Sequence, residues 1–255
     1  MDTTVLVVGG TGRTGRLLVT QLLARGVRVR AIVRAAERLP EAARRDPRLG
    51  AIEADLVAMP DAELAEHVRG CDAMLSCLGH TISLAGVFGP PHDLVTRTVA
   101  RLARAAEAVR AAAPVRLVLM SSVSVDHPLG GDAPRTAAER ALLRMLFALV
   151  PPVRDNQRAA DHLCREVGAA HPAVQWVIVR PDSLVAGEAG SYVLDESLAI
   201  SLFRPESTSM ANVAHFMCEL VTRPDLWEAW RGKLPVIVNA PATTPVEARL
   251  APAAS

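Results

Sequence analysis

Val5-Leu6-Val7-Val8-Gly9-Gly10-Thr11-Gly12-Arg13-Thr14-Gly15-Arg16 determines the architecture expected of the chain. An apolar, β-branched run enters a turn whose glycines, Gly9, Gly12 and Gly15, are spaced G-x-x-G-x-x-G. A helical pattern follows from Arg16 to Leu23 and stops at Gly26. A glycine turn between a first strand and a first helix lets backbone N–H groups approach a pyrophosphate closely. It also sets that anion at the positive end of the helix. Glycines at this spacing are a weak signal alone; their place between strand and helix gives them meaning. Gly9, Thr11, Gly12, Arg13, Thr14 and Gly15 are therefore expected to hold a dinucleotide's phosphates.

The second predicted strand, Val27 to Val33, ends at Arg34, with Arg38 close behind. NAD-specific domains place Asp or Glu here to accept hydrogen bonds from the ribose 2′-hydroxyl. A guanidinium instead suits a 2′-phosphate, through charge-assisted and often bidentate bonds. Arg34, with Arg13 from the loop, thus predicts NADP(H). The bland alternative is a solvated arginine, since Lys233 is the only lysine and almost every basic residue is arginine. Asp55-Leu56, after a short third strand at Ala51–Glu53, is expected beside the adenine. Leu78-Gly79-His80, after a fourth strand at Asp72–Ser76, is expected on the ribose and nicotinamide side, because ligands bind beyond the carboxyl ends of such strands.

Farther on, short β-branched runs keep alternating with helical patterns: a helix from Asp61, capped by it, to Val68; a long helix from Asp93 to Ala113; strands at Val115–Met120, Val174–Val179 and Pro235–Val238; and helices at Thr136–Leu149 and Asp155–Val167 around Pro151-Pro152. That alternation predicts an α/β, doubly wound Rossmann fold with a mostly parallel seven-stranded sheet. Residues 183–209 show no clean period and are expected as a small substrate-side excursion, with further substrate-side segments at 81–92 and 124–155. The chain reads as one domain over 1–239, with a flexible tail over 240–255.

Composition excludes more than it proves. No run reaches the roughly 18 uncharged apolar residues of a membrane helix, and the first residues carry no export signal. Cys71, Cys77, Cys164 and Cys218 show no metal or redox spacing, so a cytoplasmic protein with reduced thiols and no metal is expected. The net charge of +1 gives no reason to invoke nucleic acid or a membrane as partner. A small-molecule substrate is expected, and a homodimer stays open. With Lys233 the only lysine and Tyr192 the only tyrosine, a mechanism needing both close in sequence is excluded.

Taken together, Gly9 to Gly15, Arg34, Ser121-Ser122, Trp176 to Asp182 and Ser209 to Ala214 resemble the atypical, NmrA-like short-chain dehydrogenase/reductases that bind NAD(P). The resemblance runs from residue 5 to about 238, with Met210 where the late helix start usually has arginine. It implies an oxidoreductase, with Ser122 matching the family's catalytic serine and Ser121 near the cofactor. Members with a Tyr-x-x-x-Lys pair use the lysine to lower the tyrosine pKa. Here the matching positions hold Val153 and Gln157, so any proton comes from elsewhere.

Candidates for that role are Ser122 as donor to a carbonyl, and the loop histidines His80, His92 and His127 as general acids. For each histidine a solvent-facing role is the commoner alternative, and for the two serines simple strand termination. Asp155-Asn156 reads as a helix N-cap or a substrate contact, and Met145 to Leu149 as core or pocket wall. The site set is then Ser122, His127 and His80 for chemistry. Two functions follow: an NADPH-dependent reductase of a carbonyl, quinone, flavin-like or enone compound, or a non-catalytic NADP-binding sensor.

Overall fold

The computed structural model describes residues 3–79, 89, 91–109 and 111–241. His80, most of the segment 81–92 and the tail from 242 onward lie outside these residues. In chain order come β1 (Thr4–Val8), α1 (Arg13–Ala24), β2 (Arg28–Val33), a 3-10 turn (Ala36–Arg38), α2 (Glu41–Arg44), β3 (Leu49–Glu53), α3 (Asp61–Val68) and β4 (Ala73–Ser76). Next are α4 (Leu94–Val109), β5 (Val115–Met120), α5 (Ala137–Leu149), α6 (Pro151–Asp161, continued by a π-turn to Val167) and β6 (Val174–Pro181). Then follow β7 (Ser183–Val185), β8 (Tyr192–Asp195), β9 (Ser207–Ser209), α7 (Met210–Thr222), α8 (Pro224–Trp230) and β10 (Val236–Asn239).

One sheet has the order β3-β2-β1-β4-β5-β6-β10-β8. Its first seven strands pair in parallel, and β8 adds an antiparallel edge, Tyr192 opposite Asn239. The chain leaves β1 toward β2 on one side and returns to β4 on the other. That reversal opens a crevice at the carboxyl ends of β1 and β4, where open α/β sheets bind ligands. Strand alternation builds two cores. Val5, Val7, Leu75 and Val177 pack against α1, α7 and α8; Leu6, Val8, Met74 and Ile178 pack against α3, α4 and α6.

The expected doubly wound fold is therefore present, with differences in detail. The excursion at 183–209 contains the eighth strand and a small parallel pair, β7 with β9. Strands of three or four residues are too short to show an alternation in sequence. Helix α1 starts at Arg13 instead of Arg16, because Gly12 is its extended N-cap (φ −71°, ψ 171°) and the loop itself forms the first turn. Asp61 caps nothing with its side chain; Pro60 holds the cap position, and the Asp61 carboxylate pairs with Arg101 and Arg104. Among the described residues no helix is long and apolar enough to cross a membrane.

Candidate functional site

The glycine loop closes on itself and on β4. Gly9 has φ +78°, and a Cβ there would lie 2.6 Å from the carbonyl carbon of Cys77. A Cβ on Gly15 would meet the Gly9 oxygen at 2.1 Å, so the helix can approach the strand only through glycine. Gly12 differs: its φ suits any residue, its nearest neighbour would be the Gly9 oxygen at 3.2 Å, and it is exposed. Its N–H donates to Gly9 O at 3.0 Å, while the first turn of α1 has no side-chain cap and no acidic residue. Free N–H groups and the helix dipole thus face outward from this loop.

Beyond it lies a cleft of about 360 Å³ lined by Gly9, Thr11, Ile32, Val33, Arg34, Asp55, Leu56, Leu78 and Gly79, with Pro91 and Leu94 from the α4 side. Seven of the expected cofactor residues therefore line one cavity. Arg34, Arg13 and Arg38 are exposed, and none pairs with a carboxylate among the described residues. Glu53, at the end of β3, is instead turned to Ala36, whose N–H it accepts at 2.6 Å. The Asp55 carboxylate holds its own turn, accepting the Val57 N–H at 2.9 Å. Behind that turn sits Arg101, buried on α4. It donates to the Leu56 and Met59 carbonyls and pairs with Asp61 at 2.6 Å.

At the end of β5 the two serines separate. The Ser121 hydroxyl is buried and has no hydrogen-bond partner among the described residues. The Ser122 oxygen accepts the Ser124 N–H at 3.1 Å and lies 2.6 Å from the Ser124 hydroxyl. Gln157, in the lysine position, clamps Asp126: its oxygen accepts the Asp126 N–H at 3.0 Å and its amide donates to the Asp126 carbonyl at 3.1 Å. Asp155 does not open its own helix, which begins at Pro151. Its buried carboxylate accepts the N–H groups of Val95 and Thr96, at 2.8 and 3.0 Å, and so caps α4.

His127 donates its backbone N–H to Asp132 at 2.7 Å, and its Nδ1 accepts the Leu129 N–H at 3.2 Å. Burial, against Asp132, holds its imidazole pKa below the ordinary value. Asp132 in turn is held by the fully buried Arg180 through two bonds of 2.7 and 2.9 Å. Desolvation pushes the Asp132 pKa up, but this fork and two backbone N–H donors outweigh it and leave the carboxyl below its ordinary range. Tyr192 bonds His215 Nδ1 at 3.0 Å, and burial pushes its phenol far up. Met145 and Leu149 are exposed and wall no core.

A profile of the NAD(P)H-binding family matches residues 9–224, most of the chain. The chain belongs to the NAD(P)H-binding family. Its glycine cradle fits a dinucleotide: Gly9 and Gly15 let β1 and α1 close on each other, and the exposed Gly12 N-cap leaves the first-turn N–H groups of α1 open to a pyrophosphate. An uncharacterized chloroplastic protein of Arabidopsis thaliana is 37% identical over 92 residues, which span 36% of this chain and 30% of that protein. Among solved structures, the oxidoreductase ylbE of Lactococcus lactis superposes with a TM-score of 0.67 at 22% identity, covering 93% of this chain and 91% of that one. A short-chain dehydrogenase/reductase of Veillonella parvula in complex with NADP gives 0.65 at 16%, covering 97% and 99%. At such identities these two show a shared fold.

Sequence reading missed Arg101, Asp132 and Glu139. Arg101 had a signal, since it falls on the apolar row of α4 with Val95, Thr98 and Leu102, where a lone cation needs buried partners. Glu139 had one too, the Thr136-x-x-Glu139 spacing of a capping box, although its partners Ser201 and Leu202 lie 62 and 63 residues on; Asp132 gave none for Arg180, 48 residues away.

Proposed function

We propose that this member of the NAD(P)H-binding family is an NADPH-dependent oxidoreductase that reduces a carbonyl, quinone or enone of a small molecule, polycyclic compounds included. The observation that carries it is Arg34, just after β2 on the wall of the cleft, with no carboxylate among the described residues to neutralise it. A 2′-phosphate is the group such a guanidinium suits, and NADPH is the reducing form cells keep for biosynthetic reductions. When bound, the cofactor supplies the hydride; the chain's residues hold it, orient the substrate and stabilise developing oxyanion charge. Ser122 suits the last task. If the Ser124 hydroxyl as well as its N–H donates to the Ser122 oxygen, the Ser122 proton points away and is free for a carbonyl. His127, with Nδ1 accepting, carries its proton on Nε2 and is the neutral donor in reserve.

Val153 and Gln157 favour a second reading, a non-catalytic NADP-binding sensor, since neither does the work of the Tyr–Lys pair. NADPH oxidation across a panel of quinones, flavins and polycyclic ketones separates the two: steady turnover with any of them supports the enzyme, and none across the panel supports the sensor. The reading places the chain in the cytoplasm, in keeping with four buried, unpaired thiols.

A further inference from the structure

We propose that the face built by α5 and α6 docks on an anionic lipid surface. Residues 137–153, Ala-Ala-Glu-Arg-Ala-Leu-Leu-Arg-Met-Leu-Phe-Ala-Leu-Val-Pro-Pro-Val, contain no uncharged polar side chain. Apart from Glu139, Arg140 and Arg144 every side chain of α5 is apolar, yet the helix buries only Glu139 and Leu143. Met145 is 51% and Leu149 61% exposed, on one i, i+4 row with Ala141. The neighbouring row carries Arg140 and Arg144, and α6 exposes Arg154 and Arg158 at the same spacing.

Charge separates the candidate occupants. Glu139 and Asp155, two of the three carboxylates on these helices, are buried and occupied, and the third, Asp161, ends α6. Arg140 donates only to the Arg135 carbonyl, and Arg144, Arg154 and Arg158 have no carboxylate partner among the described residues. A chain of net charge +1 thus presents, among the described residues, four cations without a carboxylate partner, together with exposed aliphatic side chains. Two copies meeting through this face would bring like charges together. A protein partner would find no uncharged polar side chain in 137–153 to hydrogen-bond. An interfacial helix has the observed composition: apolar residues that enter the acyl boundary and arginines that meet lipid phosphates.

A second element extends the patch. The Glu139 carboxylate accepts from the Ser201 hydroxyl at 2.7 Å and the Leu202 N–H at 3.0 Å, which ties the strap before β9 to the first turn of α5. The next residue, Phe203, is 58% exposed. An exposed phenylalanine is thereby fixed beside the helix, as an inserting group would be.

The test is co-sedimentation of the full chain with vesicles of equal parts phosphatidylglycerol and phosphatidylcholine, and with phosphatidylcholine alone. Binding to the anionic vesicles, weakening as salt rises, is expected, with little to the neutral ones. Arg140→Gln with Arg144→Gln should weaken it by about fivefold per arginine. Met145→Ser with Leu149→Ser should weaken it at least about tenfold. Both double variants should melt as the parent does, the changed side chains being exposed. No binding to anionic vesicles at low salt overturns the proposal, as does binding that both double variants retain. So does a dimer in light scattering that Met145→Ser with Leu149→Ser dissolves, which would make a second copy the occupant.

Discussion

At the scale of single residues, the three glycines of the loop do different work, and substitution should separate them. Gly15→Ala must push a Cβ into the Gly9 oxygen. It is expected to lower the melting temperature by the several degrees that about 1–3 kcal/mol of strain and overpacking produces in a small domain. Gly12→Val brings a Cβ to 3.2 Å from the Gly9 oxygen, a far milder conflict than at Gly15, and stands where the pyrophosphate must lie. It is expected to lower the melting temperature less than Gly15→Ala does and to abolish NADPH binding in calorimetry. Retained affinity would show that the phosphates bind elsewhere. These roles were legible in sequence because the loop is local: strand, glycines and helix follow one another without a break from Thr4 to Ala24. The serines were not, since which hydroxyl is engaged depends on Ser124 geometry and on burial. Ser122→Ala is expected to lower turnover by about tenfold or more as a lost oxyanion donor, while Tyr192→Phe, with its hydroxyl committed to His215, changes it little. Equal rates for both would reduce Ser122 to a strand end.

At the scale of elements, the helices on the α4 side act as braces. Arg101 ties the Asp55–Met59 turn to α4, Asp155 of α6 caps the start of α4, and Gln157 of α6 clamps Asp126 beyond β5. Arg101→Met should therefore weaken binding of 2′,5′-ADP more than binding of nicotinamide mononucleotide, because it releases the adenosine wall and leaves the other end intact. Equal loss for both ligands would mark a general loss of stability. The seven parallel strands could be read from their apolar runs. β8 could not, having four residues whose burial is decided by pairing with β10. Likewise Asp155 looked like the cap of its own helix; the N-terminus it serves belongs to a helix some sixty residues earlier.

At the scale of the whole molecule, distant segments are pinned by buried carboxylates, and acid should release them. Hydrogen bonds from the Ser201 hydroxyl and from Thr136, with Leu202, hold the Glu139 pKa near 2 instead of its ordinary 4.5. The folded state thus binds this proton more weakly than the unfolded chain, so the stabilisation is complete above about 4.5 and is lost as pH falls toward about 2. Melting curves across that range should show a steeper acid loss for the parent than for Glu139→Gln; parallel curves would remove Glu139 from the account. Selection of NADP(H) by the cleft through Arg34 is measured by titrating the parent and Arg34→Ala with NADPH and NADH at one ionic strength. One charged hydrogen bond contributes about 1.5–3 kcal/mol. NADPH should bind the parent more tightly than NADH, and Arg34→Ala should weaken NADPH by about ten- to a hundredfold while barely changing NADH. Equal affinity of the parent for both cofactors, or an equal loss for both on substitution, would contradict it.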